Sequence, residues 1–236
     1  MRYTRHELKQ DKLATSAAEA VQEVVEHRSG IIKIVSIVVA LAVLGGGIWW
    51  YMESREALAS DALGRAMVSY NAPVAPPGTP IPTGVTAFNS DQERLIAAKK
   101  AFYGVSDQYG WTHSGQYSRY LAGITEQELG NEKVAEDQLR AISNTRSKEL
   151  ASLAKLALSS VYRSENRDSD AINTLQGLIN SPTASVPKAT AQLALADIYQ
   201  SEHQPDKAKV IYEQISKDNP KGSIAQIVKA HMDEAK

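Results

Sequence analysis

The side chains able to do chemistry are few and scattered. Histidine occurs at His6, His27, His113, His203 and His231, and no two lie four residues apart, so the His-Glu-x-x-His zinc pattern does not occur. The chain has no cysteine, which excludes disulfides, thiolate nucleophiles and Cys-ligated zinc or iron–sulfur centres. Asn166-Arg-Asp168-Ser-Asp170 opens like a calcium loop, but Ala171 stands at the sixth position, where that loop needs glycine, so helix capping is the simpler reading. Gly45-Gly46-Gly47 has no following Gly-Lys-Ser/Thr and lies in an apolar run, so it is no phosphate loop. Carboxylate pairs such as Glu136/Asp137 and Asp233/Glu234 read as helix surface. Neither a nucleophile elbow nor a dinucleotide glycine turn is present. The expectation is a non-enzymatic chain with no catalytic residue, no cofactor and no metal site.

Charge narrows the partners. Lys and Arg number 26 and Asp and Glu 27, a net charge of −1 over 236 residues. Nucleic-acid binding needs a basic stripe and is not expected. At 43% hydrophobic and 22% charged, the composition is that of a folded protein. Abundant alanine with only two phenylalanines points to an all-α fold.

Residues 31–51 read IIKIVSIVVALAVLGGGIWWY, with Lys33 the single charge. At about 1.5 Å per residue such a helix spans roughly 31 Å, the thickness of a bilayer core. Lys33 can snorkel to one interface, and Trp49, Trp50 and Tyr51 form an aromatic belt at the other. The run is long for a secretory signal, and no small-x-small cleavage site follows it, so a retained transmembrane anchor is expected. Arg2, Arg5, Lys9, Lys12 and Arg28 precede it, whereas only Arg55 and Arg65 occur in the thirty residues after Met52. The basic side stays in the cytoplasm, so residues 52–236 are expected on the far side of the membrane. Ser36, Ala40, Ala42 and Gly46 place small residues four apart, a spacing that allows helix pairing but is common by chance.

Residues 1–30 form the cytoplasmic part. Thr4-Arg-His-Glu7 is a capping box, and Leu13, Ala17, Val21, Val24 and Val25 recur at helical spacing, predicting a helix that docks on a partner, lies on the membrane or is simply solvated. Beyond the anchor, residues 52–70 continue as a helix with Leu58, Ala62, Leu63, Ala66, Met67 and Tyr70 on one stripe. Residues 71–90 hold five of the nine prolines and no charge, and are expected to be a loop. Pro73 and Pro76, or Pro77 and Pro80, have polyproline-ligand spacing, though a plain surface insertion explains them as well.

From residue 91 to 236 the sequence repeats. Ala98, Ala135, Ala171 and Ala208 stand 37, 36 and 37 residues apart. Four residues after each come Phe102, Leu139, Leu175 and Tyr212, and three further on Val105, Ile142, Leu178 and Ile215. Nine before the last two alanines sit Tyr162 and Tyr199, with Leu158 and Leu195 four before those. A small residue where helices approach and large ones filling between them is a packing rule, and each helical pair leaves an apolar face for the next to cover. Residues 222–236, with Ile224, Ile227, Val228 and His231/Met232 on one stripe, are expected to close the array.

These positions resemble the tetratricopeptide repeat, Leu195-Ala196-x-x-Tyr199 … Ala208-x-x-x-Tyr212-x-x-Ile215 … Pro220 above all. The unit from Gln116 to Ser147 departs from it, with Glu126 where an aromatic is expected and Gly123 keeping the small position. An early unit is read as split, Leu63-Gly64 and Met67 in its first helix and residues 91–109 its second, with the Pro-rich loop between. The resemblance implies a right-handed α-solenoid of three to four hairpins, non-enzymatic, whose inner surface binds proteins. Carried over by register, that surface holds Tyr117, Tyr120, Ile124 and Gln127, then Leu153, Leu156, Ser160 and Arg163, then Thr190, Leu193, Asp197 and Gln200. It lacks the Lys and Asn pattern that clamps a peptide carboxylate, so an extended chain or a partner helix suits it better. Several of these positions packing within the array itself is an equally open reading.

The whole layout, a short cytoplasmic segment, one membrane helix ending in Trp/Tyr and a translocated repeat domain, resembles the YfgM-like ancillary subunits of the bacterial Sec translocon. That resemblance implies an inner-membrane protein with a periplasmic domain, partnered by translocon subunits, periplasmic chaperones or client chains, with no small-molecule substrate. A scaffold for cell-wall synthesis, division or outer-membrane assembly is the alternative, and an enzyme with an unrecognised site a remoter one.

Overall fold

The structure is a computed structural model that describes residues 28–76, 78–81, 83–218 and positions 226, 228 and 229. The chain falls into two units, Met1–Ser54 and Arg55–Lys236. The Thr4 capping box and the helix predicted around it lie outside the described residues, as does most of the predicted closing helix.

All regular structure among the described residues is helical. Helix α1 (Arg28–Tyr70) runs unbroken through the apolar stretch and 43 residues in all, so the predicted continuation past Tyr51 is present. From Ile32 it is long and apolar enough to cross a membrane, and none of its most apolar window is buried. In the second unit follow α2 (Asp91–Tyr109), α3 (His113–Glu128), α4 (Glu132–Ser143), α5 (Lys148–Ser164), α6 (Asp168–Asn180), α7 (Lys188–Ser201) and α8 (Pro205–Asp218). They pair as hairpins: α3 with α4, α5 with α6, and α7 with α8, while residues 55–70 of α1 pack on α2.

The alanine register is the packing register. Ala98, Ala135, Ala171 and Ala208 are fully buried, and the bulky residues four and seven positions later all lie in the core. Leu139 and Leu175 join Leu158, Val161 and Leu195 in the largest cluster, and Tyr212 and Ile215 join Ala196 and Val228 in the last. Val228, from the predicted closing segment, is fully buried there. Gly123 shows why a small residue is needed: a Cβ there would stand 2.8 Å from Leu139 Cγ.

The turns inside the hairpins repeat as well. Gly130, Asn166 and His203 take left-handed φ of 76°, 58° and 58° at the same place in three successive repeats. The next amide in each case reaches back five residues, Asn131 to Glu126 (2.9 Å), Arg167 to Tyr162 (2.7 Å) and Gln204 to Tyr199 (2.8 Å). These are Schellman closures, which satisfy the last carbonyls of the first helix. The Asn166–Asp170 segment is therefore a hairpin turn, and the capping reading needs correction. Arg167 is the N-cap and makes no side-chain cap bond, while Asp168 and Asp170 lie inside the first turn of α6. Asp170 instead accepts from Arg167 Nε at 2.9 Å, and both carboxylates favour the positive end of the helix.

The end of α1 packs on α2 across the Pro-rich loop, with one shift of register from the expected stripe. Ala59 and Ala66 are buried against Ala98, Phe102 and Val105, with Ala62, Leu63, Met67 and Tyr70 around them. Leu58, expected on that stripe, is 52% exposed; it sits one position, some 100° of helix, from Ala59. The loop between the halves is pinched at its neck, where Ala75 N–H donates to Phe88 O (2.8 Å) and Phe88 N–H to Pro73 O (3.1 Å). An insertion closed on itself leaves residues 55–70 and α2 free to pair.

Candidate protein-binding surfaces

The expected inner-face residues lie on the first helices α3, α5 and α7 and divide into two sets. Tyr117 and Tyr120 stack, ring centroids 5.7 Å apart, and both pack half-buried against neighbouring clusters. Ile124, Leu153 and Leu156 lie half-buried on the largest cluster, and Leu193 on the C-terminal one. These side chains join one hairpin to the next. The polar members are left nearer solvent and bridge the helices: Gln127 Nε2 donates to Ser160 Oγ at 3.0 Å from α3 to α5, and an Arg163 guanidinium nitrogen reaches Ser201 Oγ at 3.4 Å from α5 to α7. Ser160, Arg163 and Ser201 line a hollow of about 530 Å³ with Asn166 and Asp168. Thr190 is half-buried. Asp197 and Gln200 act on Tyr212 of α8: burial and then the Asp197 charge raise its hydroxyl pKa, against a Gln200 hydrogen bond that lowers it.

Glu126, the departure from the repeat pattern, is a buried carboxylate at 4% exposure. Asn131 Nδ2 (2.7 Å), Tyr103 Oη (3.1 Å) and Lys99 Nζ (3.4 Å) donate to it. Tyr103 comes from the preceding hairpin, and its own hydroxyl, half-buried beside that charge, is pushed up to about 12. Glu136 is a second such group. Burial raises its pKa, but Lys133, Arg167 and Arg140 together hold it below the usual carboxylate range. Arg167 also lies over the Tyr162 ring at 4.4 Å. Both carboxylates are saturated with donors and tie hairpins together, which is structural work. Among the described residues, no three His, Asp or Glu side chains stand together as a metal site.

One surface escaped the sequence reading. The second helices α4 and α6 stand apart over α5, leaving a groove of about 1110 Å³ on the side away from Gln127 and Arg163. Its floor is a stripe of α5, Lys148, Ala151, Ser152, Lys155, Leu158 and Tyr162, and its far wall the Asn173–Thr174–Gly177 face of α6. The helical spacing of the floor residues was there to be read, but which stripe stays uncovered depends on how far α4 and α6 diverge.

The comparisons agree with this architecture. The family model of the tetratricopeptide repeat-like domain matches residues 25–236, taking in the apolar helix as well as the hairpins. No curated protein and no solved structure matches the chain. With nearly its full length matched, fully buried alanines at repeat spacing and Schellman turns at a common position, the chain belongs to the tetratricopeptide repeat-like domain family.

Proposed function

We propose that the chain is a non-enzymatic protein-interaction module anchored in the bacterial cytoplasmic membrane, with residues 52–236 in the periplasm, serving secreted or membrane proteins beside the Sec channel. The observation that carries the anchoring is the apolar helix. Every side chain described from Ile32 to Tyr51 is exposed, Trp50 at 69%, which in water leaves a large apolar area that lipid would cover at about 25 cal/mol per Å². The basic residues before the helix favour a cytoplasmic N-terminus. Repeat folds of this family present helix faces to other polypeptides, and the half-open faces of α3, α5 and α7 are consistent with that work. Partners would be channel subunits, periplasmic chaperones or client chains.

Crosslinking in intact membranes, followed by purification in mild detergent, tests the reading. Recovery of channel subunits is expected. Recovery of wall synthases or outer-membrane assembly factors without them would assign the module to a different envelope machine.

A further inference from the structure

We propose that the outer groove between α4 and α6 binds an extended, acidic polypeptide segment. The proposal rests on the chain being a protein-binding module, but not on its inner face or on the Sec assignment.

Charge is the first argument. Arg140, Lys148, Lys155 and Arg167 line the groove against a single carboxylate, Asp170, which Arg167 already engages at 2.9 Å. Arg140 and Arg167 are also occupied by Glu136. Lys148 and Lys155, on the floor, are exposed and have no hydrogen bond or ion pair among the described residues. Two unpaired ammonium groups set about 10 Å apart along α5 favour a chain carrying two carboxylates over a single small anion, which could meet only one of them.

Shape is the second. Gly177 sits in the interior of α6, exposed, with no atom within 4 Å of the Cβ it lacks. Glycine there costs about 1 kcal/mol relative to alanine, and packing does not require it. Its effect is to leave the wall of the groove open. Asn173, one turn before, is exposed with no partner among the described residues and can both donate to and accept from a passing backbone. The seven residue steps from Lys148 to Lys155 rise about 10 Å along α5. Three residues of polyproline-type chain rise about 9 Å and bring side chains back to one side. Carboxylates three residues apart on an extended segment therefore match the two lysines.

The test uses the full chain in detergent micelles and a fluorescein-labelled Gly-Glu-Pro-Leu-Glu-Gly peptide, read by anisotropy. Saturable binding is expected, weakened at least tenfold by the pair Lys148→Glu and Lys155→Glu, and equally by Gly177→Leu. Gly177→Leu raises helix propensity, so its thermal melt should match or exceed that of the parent, separating a blocked groove from an unfolded one. The pair Lys100→Glu and Lys209→Glu, on other exposed surfaces, should leave binding unchanged. Absent binding, equal binding of the peptide with Lys in place of Glu, or equal loss in the Lys100/Lys209 pair would overturn the proposal. None of these outcomes bears on recovery of channel subunits, so the two readings fail separately.

Discussion

Glu56 caps a helix to which it does not belong. Its carboxylate accepts the backbone amide of Ser114 at 3.0 Å and the Ser114 hydroxyl at 2.6 Å, and the neighbouring His113 amide at 2.7 Å. Thr112 Oγ1 takes the next free amide, from Gly115, at 3.0 Å. The start of α3, which would otherwise expose unpaired N–H groups, is thus closed jointly by its own N-cap and by a side chain of α1.

Removing that carboxylate should loosen the hairpin order at its root. Glu56→Ala is expected to cost about 1–3 kcal/mol, the cost of unpaired donors. The sign of the pH effect follows from the lowered pKa: burial opposes ionisation, but the Ser114 and His113 bonds outweigh it. This contribution is present above the ordinary carboxylate range and is lost as pH falls through the lower folded value. Thermal melts between pH 7 and pH 3 should show a shallower acid decline in Glu56→Ala than in the parent.

Two tyrosines should mark the alkaline limit. Tyr70 donates to Glu128 at 2.7 Å, and Tyr103 to Glu126 at 3.1 Å. Burial and the adjacent carboxylate push both hydroxyls up to about 12. Between the unfolded value of about 10 and that point, the folded chain keeps protons that the unfolded chain has lost, so stability is complete below 10 and falls as pH rises. Ultraviolet titration should show a late-ionising fraction that shrinks in Tyr70→Phe and again in Tyr103→Phe.

The alanine register can be tested by volume. Ala208 is fully buried against Tyr212 and Ala196. Ala208→Trp should unfold the last hairpin, whereas Ala208→Gly should lose only about 1 kcal/mol of helix propensity. Gly123→Ala should cost about 1–3 kcal/mol, since Leu139 must move to admit the methyl group. Denaturant melts of each variant would measure these costs.

Topology has a direct readout. A cysteine at the exposed Thr79 of the Pro-rich loop should react with an impermeant thiol reagent added outside the cytoplasmic membrane, and a cysteine at Ser16 should not. The reverse labelling would invert the orientation.

Much of the fold was legible because helical packing is periodic and local. Ala98, Ala135, Ala171 and Ala208 sit where one helix crosses another, and only a small side chain fits, so their spacing carried the hairpin register directly. The long uncharged run of α1 was equally plain, since length and apolarity are one-dimensional properties. Other features depend on residues distant in sequence. Glu56 meets Ser114, Ser152 Oγ lies 2.7 Å from Thr183 Oγ1, and Val186, in the loop between α6 and α7, is fully buried in the core, none of which has a local pattern. The candidate site divides in the same way. Register placed Tyr120, Ile124 and Leu156 on the first helices, but only packing decided that they fill the joints between hairpins while Gln127, Ser160 and Arg163 stay open to bridge them. The outer groove was hidden for the same physical reason: a sequence states which face of a helix is apolar, and the divergence of its neighbours decides which face is left uncovered.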